Sequence, residues 1–111
     1  MATKPVKQNV SYNDTLNAEW TVNTGDDGTP ITSVGPKTSV QVTGTFGGAT
    51  VAIQGSNDGT NWVALNDEAA PASPCSFTTA GFKGVLQFTK YIKPVVTGGT
   101  ATGLVVSLIN K

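Results

Sequence analysis

The chain has no histidine and no arginine, and only one cysteine, Cys75. Each absence excludes chemistry. Without an imidazole, nucleophilic triads built on a histidine base are ruled out, and zinc loses its commonest nitrogen ligand. A lone thiol makes neither an internal disulfide nor a thiolate cluster, and a catalytic thiol would lack its base. Cys75 is therefore expected as a small apolar filler at the start of a strand. Arginine is the preferred residue for bidentate contacts to phosphate and guanine. Its absence, together with the lack of any basic run, argues against nucleic acid as a partner.

Charge is sparse and balanced. Seven lysines face seven Asp and Glu, for a net charge of zero in 111 residues. Such a chain has little self-repulsion, which suits assembly. Aromatics make up 7% and apolar residues 38%, which favours the thin core of one sandwich domain over a thick α/β core. Phosphate-binding and dinucleotide fingerprints are missing in any strand–turn–helix context. The N-terminal residues are polar, without the apolar stretch of a secretory signal. The longest apolar run, near Gly103 to Ile109, falls far short of the ~20 residues that cross a bilayer. No membrane partner is expected, and synthesis in a cytoplasm is.

What the chain does have is strand alternation punctuated by glycine. Leu16, Ala18, Trp20 and Val22 share one face of an expected strand, with Trp20 inward. Val40, Val42 and Phe46 alternate with Gln41, Thr43 and Thr45. Gly47-Gly48 is read as a tight hairpin turn into Thr50–Gly55, where Val51 and Ile53 point inward. Asn57-Asp58-Gly59-Thr60 is a second turn, leading to a strand over Trp62–Asn66. A further short strand is expected from Cys75, a turn at Gly81, a strand over Gly84–Phe88, and a closing hairpin in which Gly98-Gly99 joins Tyr91–Thr97 to Gly103–Asn110. Pro94 lacks an N–H, so its half of the strand is expected at an edge or a bulge. No helical period is sustained anywhere. The reading is all-β: one antiparallel, jelly-roll-like β-sandwich of about seven to nine short strands over residues 15–111. Residues 1–14 form an extended N-terminal arm, either a first edge strand or a tether.

The acids cluster at turns, where their side chains cap the backbone. Asp26-Asp27 and Asp67-Glu68 carry the hard oxygens that calcium prefers, without the spacing of a calcium loop. No cofactor or metal is expected, and no catalytic residue. Trp62 follows a turn directly, so it is expected to be only partly covered.

The run Gly-Thr-Phe-Gly-Gly-Ala-Thr-Val-Ala-Ile-Gln-Gly-Ser-Asn-Asp-Gly-Thr-Asn-Trp, the later Tyr-Ile-Lys-Pro-Val-Val-Thr-Gly-Gly-Thr and the apolar last strand resemble head decoration (cement) proteins of tailed bacteriophages. The resemblance covers roughly residues 38–110. It implies a non-enzymatic virion protein on the capsid surface, clamping neighbouring major capsid subunits as a homo-oligomer, with a trimer favoured. The residues expected to reach a neighbour are Thr3, Lys4, Pro5, Val6, Lys7, Gln8, Asn9 and Val10 of the arm, with Tyr91, Lys93 and Pro94 as a second contact surface. A second resemblance, carried by Gln54–Trp62 and Tyr91-Ile92, is to the discoidin-like, galactose-binding jelly roll. It implies a glycan contact at Asn57, Asp58, Asn61 and Trp62, with Tyr12 as a further aromatic, used for host-surface adhesion. This chain is shorter than such domains and lacks their paired cysteines. A tail or baseplate subunit is a third expectation.

Overall fold

The structure is a computed structural model, and it describes residues 3–11 and 15–111. Two sheets pack face to face. One contains β2 (Val6–Ser11), β3 (Thr15–Val22), β6 (Thr38–Thr45), β10 (Gly81–Val85) and β12 (Thr102–Asn110), in the order β10-β6-β12-β3-β2. The other is built around β7 (Thr50–Ser56) and β11 (Tyr91–Thr97). Short strands flank that pair: β1 (Thr3–Lys4), β4 (Asp27–Gly28), β5 (Ile31–Thr32), β8 (Val63–Ala64) and β9 (Ser76–Phe77). Among the described residues there is no helix, and seven strands run five residues or longer. The fold is a β-sandwich.

Alternation explains the core. Leu16, Ala18, Trp20 and Val22 of β3 are all buried, as are Val40 and Val42 of β6 and Val51 and Ile53 of β7. They meet Ile92, Val96, Leu104, Val106 and Leu108 between the sheets. Burying side chains of this kind contributes about 1.5–3 kcal/mol each, before conformational entropy is charged against it. Cys75 is part of this core, at 1% exposure. Burial and the nearby Asp67 push its thiol up to about 11.

The two glycine pairs are not hairpin turns. β6 and β7 lie in opposite sheets, and so do β11 and β12. Gly47-Gly48 and Gly98-Gly99 are corners at which the chain crosses the sandwich. All four have positive φ, between 56° and 85°, a region open to glycine and costly to L side chains. The corners abut: the Thr100 amide donates to the Gly47 carbonyl at 3.0 Å. β6 pairs with β12 and β7 with β11. One long antiparallel ribbon is thus folded over at its glycines, which is the jelly-roll wrap. Strand alternation reads the same on either side of a hairpin or a corner, so only the partner strands distinguish the two.

Pro94 corrects a second expectation. It is buried and sits mid-sheet, with β7 on one side and β4 and β5 on the other. The Val96 amide donates to Asp26 O at 2.9 Å. Strand periodicity points the nitrogen of residue 94 the same way, toward the break between β4 and β5. The ladder loses nothing there. Gly28 opposes it, and a Cβ at Gly28 would lie 2.7 Å from Pro94 Cδ and 2.5 Å from Trp20 Cδ1. Glycine at that position lets the ring and the indole in.

Two smaller shifts occur further along. The turn expected at Gly81 falls over 78–80, and the strand runs Gly81–Val85 rather than Gly84–Phe88. Pairing with β6 and the Lys83 Nζ hydrogen bond to Ser76 O (2.8 Å) hold it there. The strand expected over Trp62–Asn66 is reduced to Val63–Ala64. Of the expected arm, residues 3–11 belong to the sandwich as the edge-strand alternative. β1 pairs parallel with β4 in one sheet, and β2 pairs antiparallel with β3 in the other.

Candidate interaction surface

Along β11 the side chains of Ile92, Pro94 and Val96 enter the core, so Tyr91, Lys93 and Val95 face outward, each half-buried. Lys93 organises that outer face. Its Nζ lies 3.1 Å from Asp27 Oδ2 and 4.5 Å from the centroid of the Trp62 ring. Asp27 accepts a 2.8 Å hydrogen bond from Thr3 Oγ1 through its other oxygen. Burial pushes the Asp27 carboxyl up, but the Thr3 hydroxyl and the Lys93 ammonium outweigh it and hold the group below its usual range. One polar chain therefore runs from β1 through β4 and β11 to the loop after β7.

That loop is self-capped. Asp58 Oδ1 accepts from Ser56 Oγ and from the Thr60 and Asn61 amides, each at 2.8 Å, and Oδ2 accepts from Asn61 Nδ2 at 2.7 Å. The backbone amides of Asn61 and Thr60 lead the causes that hold this carboxyl well below the usual carboxylate range. Asn57 Oδ1 accepts from the Lys90 amide at 2.9 Å, tying the loop to the start of β11. The Tyr91 ring lies against Gly59, and the Lys90 ammonium stands 5.3 Å from its centroid.

The structure brings Thr3, Asn57, Asp58, Asn61, Trp62, Tyr91 and Lys93 onto one face, although the sequence assigned them to two different partners. Pro94 is not on that face; it points into the core. Lys4 borders it, 3.7 Å from Asp26 Oδ2. Val6 packs against the core, and Lys7 and Gln8 lie exposed on the edge of the opposite sheet. Tyr12 lies outside the described residues, as do the side chains of Asn9 and Val10. The acids considered for calcium have other partners: Asp26 and Asp27 pair with Lys4 and Lys93, and Asp67 Oδ2 lies 3.8 Å from Lys83 Nζ. No cluster of three or more metal-ligating side chains occurs among the described residues.

Sequence reasoning missed four exposed apolar side chains. Val63 is 66% exposed, Phe82 74%, Leu86 44% and Phe88 57%. Val63 belongs to β8, Phe82 to β10 opposite Gln41, and Leu86 and Phe88 follow β10; the Leu86 amide to Asn66 O (2.9 Å) and the Glu68 amide to Gly84 O (2.9 Å) join these two segments. A groove of about 310 Å³ opens beside Val63, lined also by Leu65, Asn57, Asn61, Gln87 and Thr89. Leu86 and Phe88 fall within the strand expected over Gly84–Phe88. Their exposure follows from β10 ending at Val85.

No family model matches the sequence, and no curated protein matches it. Among solved structures, the fold is similar to that of the SPBc2 prophage-derived protein YomS. The TM-score is 0.60 at 12% identity, covering 91% of this chain and 98% of that one. A cupin domain from Bordetella pertussis superposes at a TM-score of 0.45 and 10% identity, over 100% of this chain and 99% of that one.

Proposed function

We propose that the protein is a non-enzymatic structural component of a phage virion, which binds the outer surface of the capsid and stabilises it by clamping neighbouring major capsid subunits. The observation that carries this reading is the likeness, over nearly the whole of both chains, to a prophage-derived protein. A ligand that binds only the assembled shell stabilises it by mass action. The exposed Val63, Phe82, Leu86 and Phe88 supply apolar area for such a contact, and each fully covered side chain of this size is worth about 1.5–3 kcal/mol. The protein would be made in the host cytoplasm and carried on the particle, as a homo-oligomer with a trimer favoured. A tail or baseplate position fits the same fold.

Co-sedimentation with purified capsids tests the reading. The wild type is expected to pellet with capsids but not with dissociated capsid subunits. Leu86→Ser/Phe88→Ser is expected to lose binding at unchanged melting temperature. Equal pelleting of the variant would remove the apolar edge from the contact. No pelleting of the wild type would remove the capsid.

A second reading, carbohydrate binding for host adhesion, is favoured by Trp62, Tyr91, Asn57 and Asn61 sharing one face. Against it, both oxygens of Asp58 are engaged within the loop, and Lys93 covers one face of the indole. Trp62→Ala is expected to leave glycan-array signals unchanged; loss of a specific signal in a folded variant would favour this reading.

A further inference from the structure

We propose that β1 exchanges between copies of this chain, so that Thr3 and Lys4 of one copy seat against Asp26, Asp27 and Thr29 of a second copy. The inference stands apart from the virion reading, because it concerns the purified chain alone.

The hydrogen bonds and ion pair of the first strand are few and local to one site. Thr3 Oγ1 donates to Asp27 Oδ1 at 2.8 Å, and Lys4 Nζ lies 3.7 Å from Asp26 Oδ2. The Thr29 amide and hydroxyl both donate to Lys4 O, at 2.8 and 2.9 Å. Thr3 and Pro5 are exposed, Lys4 is half-buried, and Val6 is the first residue packed against the core. Leaving the site therefore uncovers almost no apolar surface from the strand itself. Pro5 has no N–H to give to either sheet, so the ladders break at that point, between β1 in one sheet and β2 in the other.

The receiving site, by contrast, is fixed and demanding. Asp26 and Asp27 are each 7% exposed. Asp26 accepts from the Asn23 amide at 2.9 Å, and Asp27 is paired with Lys93. When β1 leaves, Asp27 Oδ1 and the Thr29 N–H lose their partners, and half-buried polar groups left unpaired are costly. The site selects an extended segment with a hydroxyl at one residue and an ammonium at the next, backed by the negative charge of two aspartates. Thr3-Lys4 supplies both, from its own chain or from another. The contacts are the same in either case, so exchange costs little beyond association, and a head-to-tail exchange closes into a cyclic oligomer.

The test uses the wild-type chain. Equal amounts of light-nitrogen and heavy-nitrogen protein are refolded together and treated with a carbodiimide, which joins Lys4 Nζ to the Asp26 carboxylate as an amide. Peptides are then read by mass spectrometry. The Lys93–Asp27 pair, internal to the body, is the reference and stays single-label. Exchange predicts mixed labels in half of the Lys4–Asp26 links. Exclusively single-label Lys4–Asp26 links would overturn the proposal. A second measurement does not depend on cross-linking: deleting residues 1–5 is expected to reduce the solution mass by light scattering to that of a monomer. An oligomer of undiminished order after the deletion contradicts it.

Discussion

The two sheets of this molecule are made differently. The five-stranded sheet consists of strands of five residues or more, most with regular alternation, such as β3 and β12 with their seven-residue register. The opposite sheet has a long central pair, β7 and β11, bordered by two-residue strands. The first is specified by local pattern: each strand carries its own apolar face and needs only a neighbour. The second is specified by side chains reaching across. Asp27, Lys93, Trp62, Thr3 and Asn57 belong to the fragmentary sheet and its loops, and so do the contacts that shape the outer face. Regularity supplies the frame, and the irregular sheet carries the polar organisation.

Changes that strike where the sheets depend on each other test this contrast most strongly. Trp20 belongs to the regular sheet, is fully buried, and donates its indole N–H to Thr29 O at 2.9 Å beside the other sheet. Trp20→Ala is expected to cost about 4 kcal/mol in urea unfolding. A loss below about 1 kcal/mol would mean that the sheets are not coupled there. Next in size is Asn110. Its amide donates to Gly35 O, Lys37 O and Thr38 Oγ1, and its oxygen accepts from the Val34 and Gly35 amides. Asn110→Ala removes all five bonds, leaving Lys37 O only the Lys111 amide, and is expected to cost about 2–3 kcal/mol, measured the same way.

Lys93→Met acts within the irregular sheet alone. It removes the partner of Asp27, with an expected loss of about 1 kcal/mol at neutral pH for this pair on the outer face of the sheet. The sign with pH follows from the depressed carboxyl. Its contribution is present above the unfolded value, 3.8, and is lost as pH falls through the lower folded value. The gap between wild type and Lys93→Met should therefore close below about pH 4, as seen in melting temperatures across pH. A gap independent of pH would assign the effect to packing on Trp62. The smallest effect is expected for Asp58→Ala: faster amide exchange at Thr60 and Asn61, with the global melting temperature unchanged.

This contrast also explains what was legible. The inward sets of β3, β6 and β7, the burial of Cys75 and the partial cover of Trp62 follow from alternation and turn chemistry. The corners at Gly47-Gly48 and Gly98-Gly99 did not, because a glycine pair with positive φ turns a chain equally well within a sheet or across a sandwich. Pro94 is misplaced in the sequence reading because its tolerance depends on a gap between β4 and β5, which Gly28 and Ile31, 66 and 63 positions away, bound. Asp27 was read as a turn cap; its pairing with Lys93 spans 66 residues and leaves no local trace. The candidate residues on the outer face were named, but their convergence on one face came only with the fold.

The central claim, a structural role on a phage capsid, is tested most directly by quantitative mass spectrometry of purified virions, counting this chain against the major capsid protein. The account predicts a copy number in fixed stoichiometry with the shell, comparable to the number of capsid subunits or of the sites where they meet. A handful of copies would place the protein in the tail, and its absence from the particle would contradict the account.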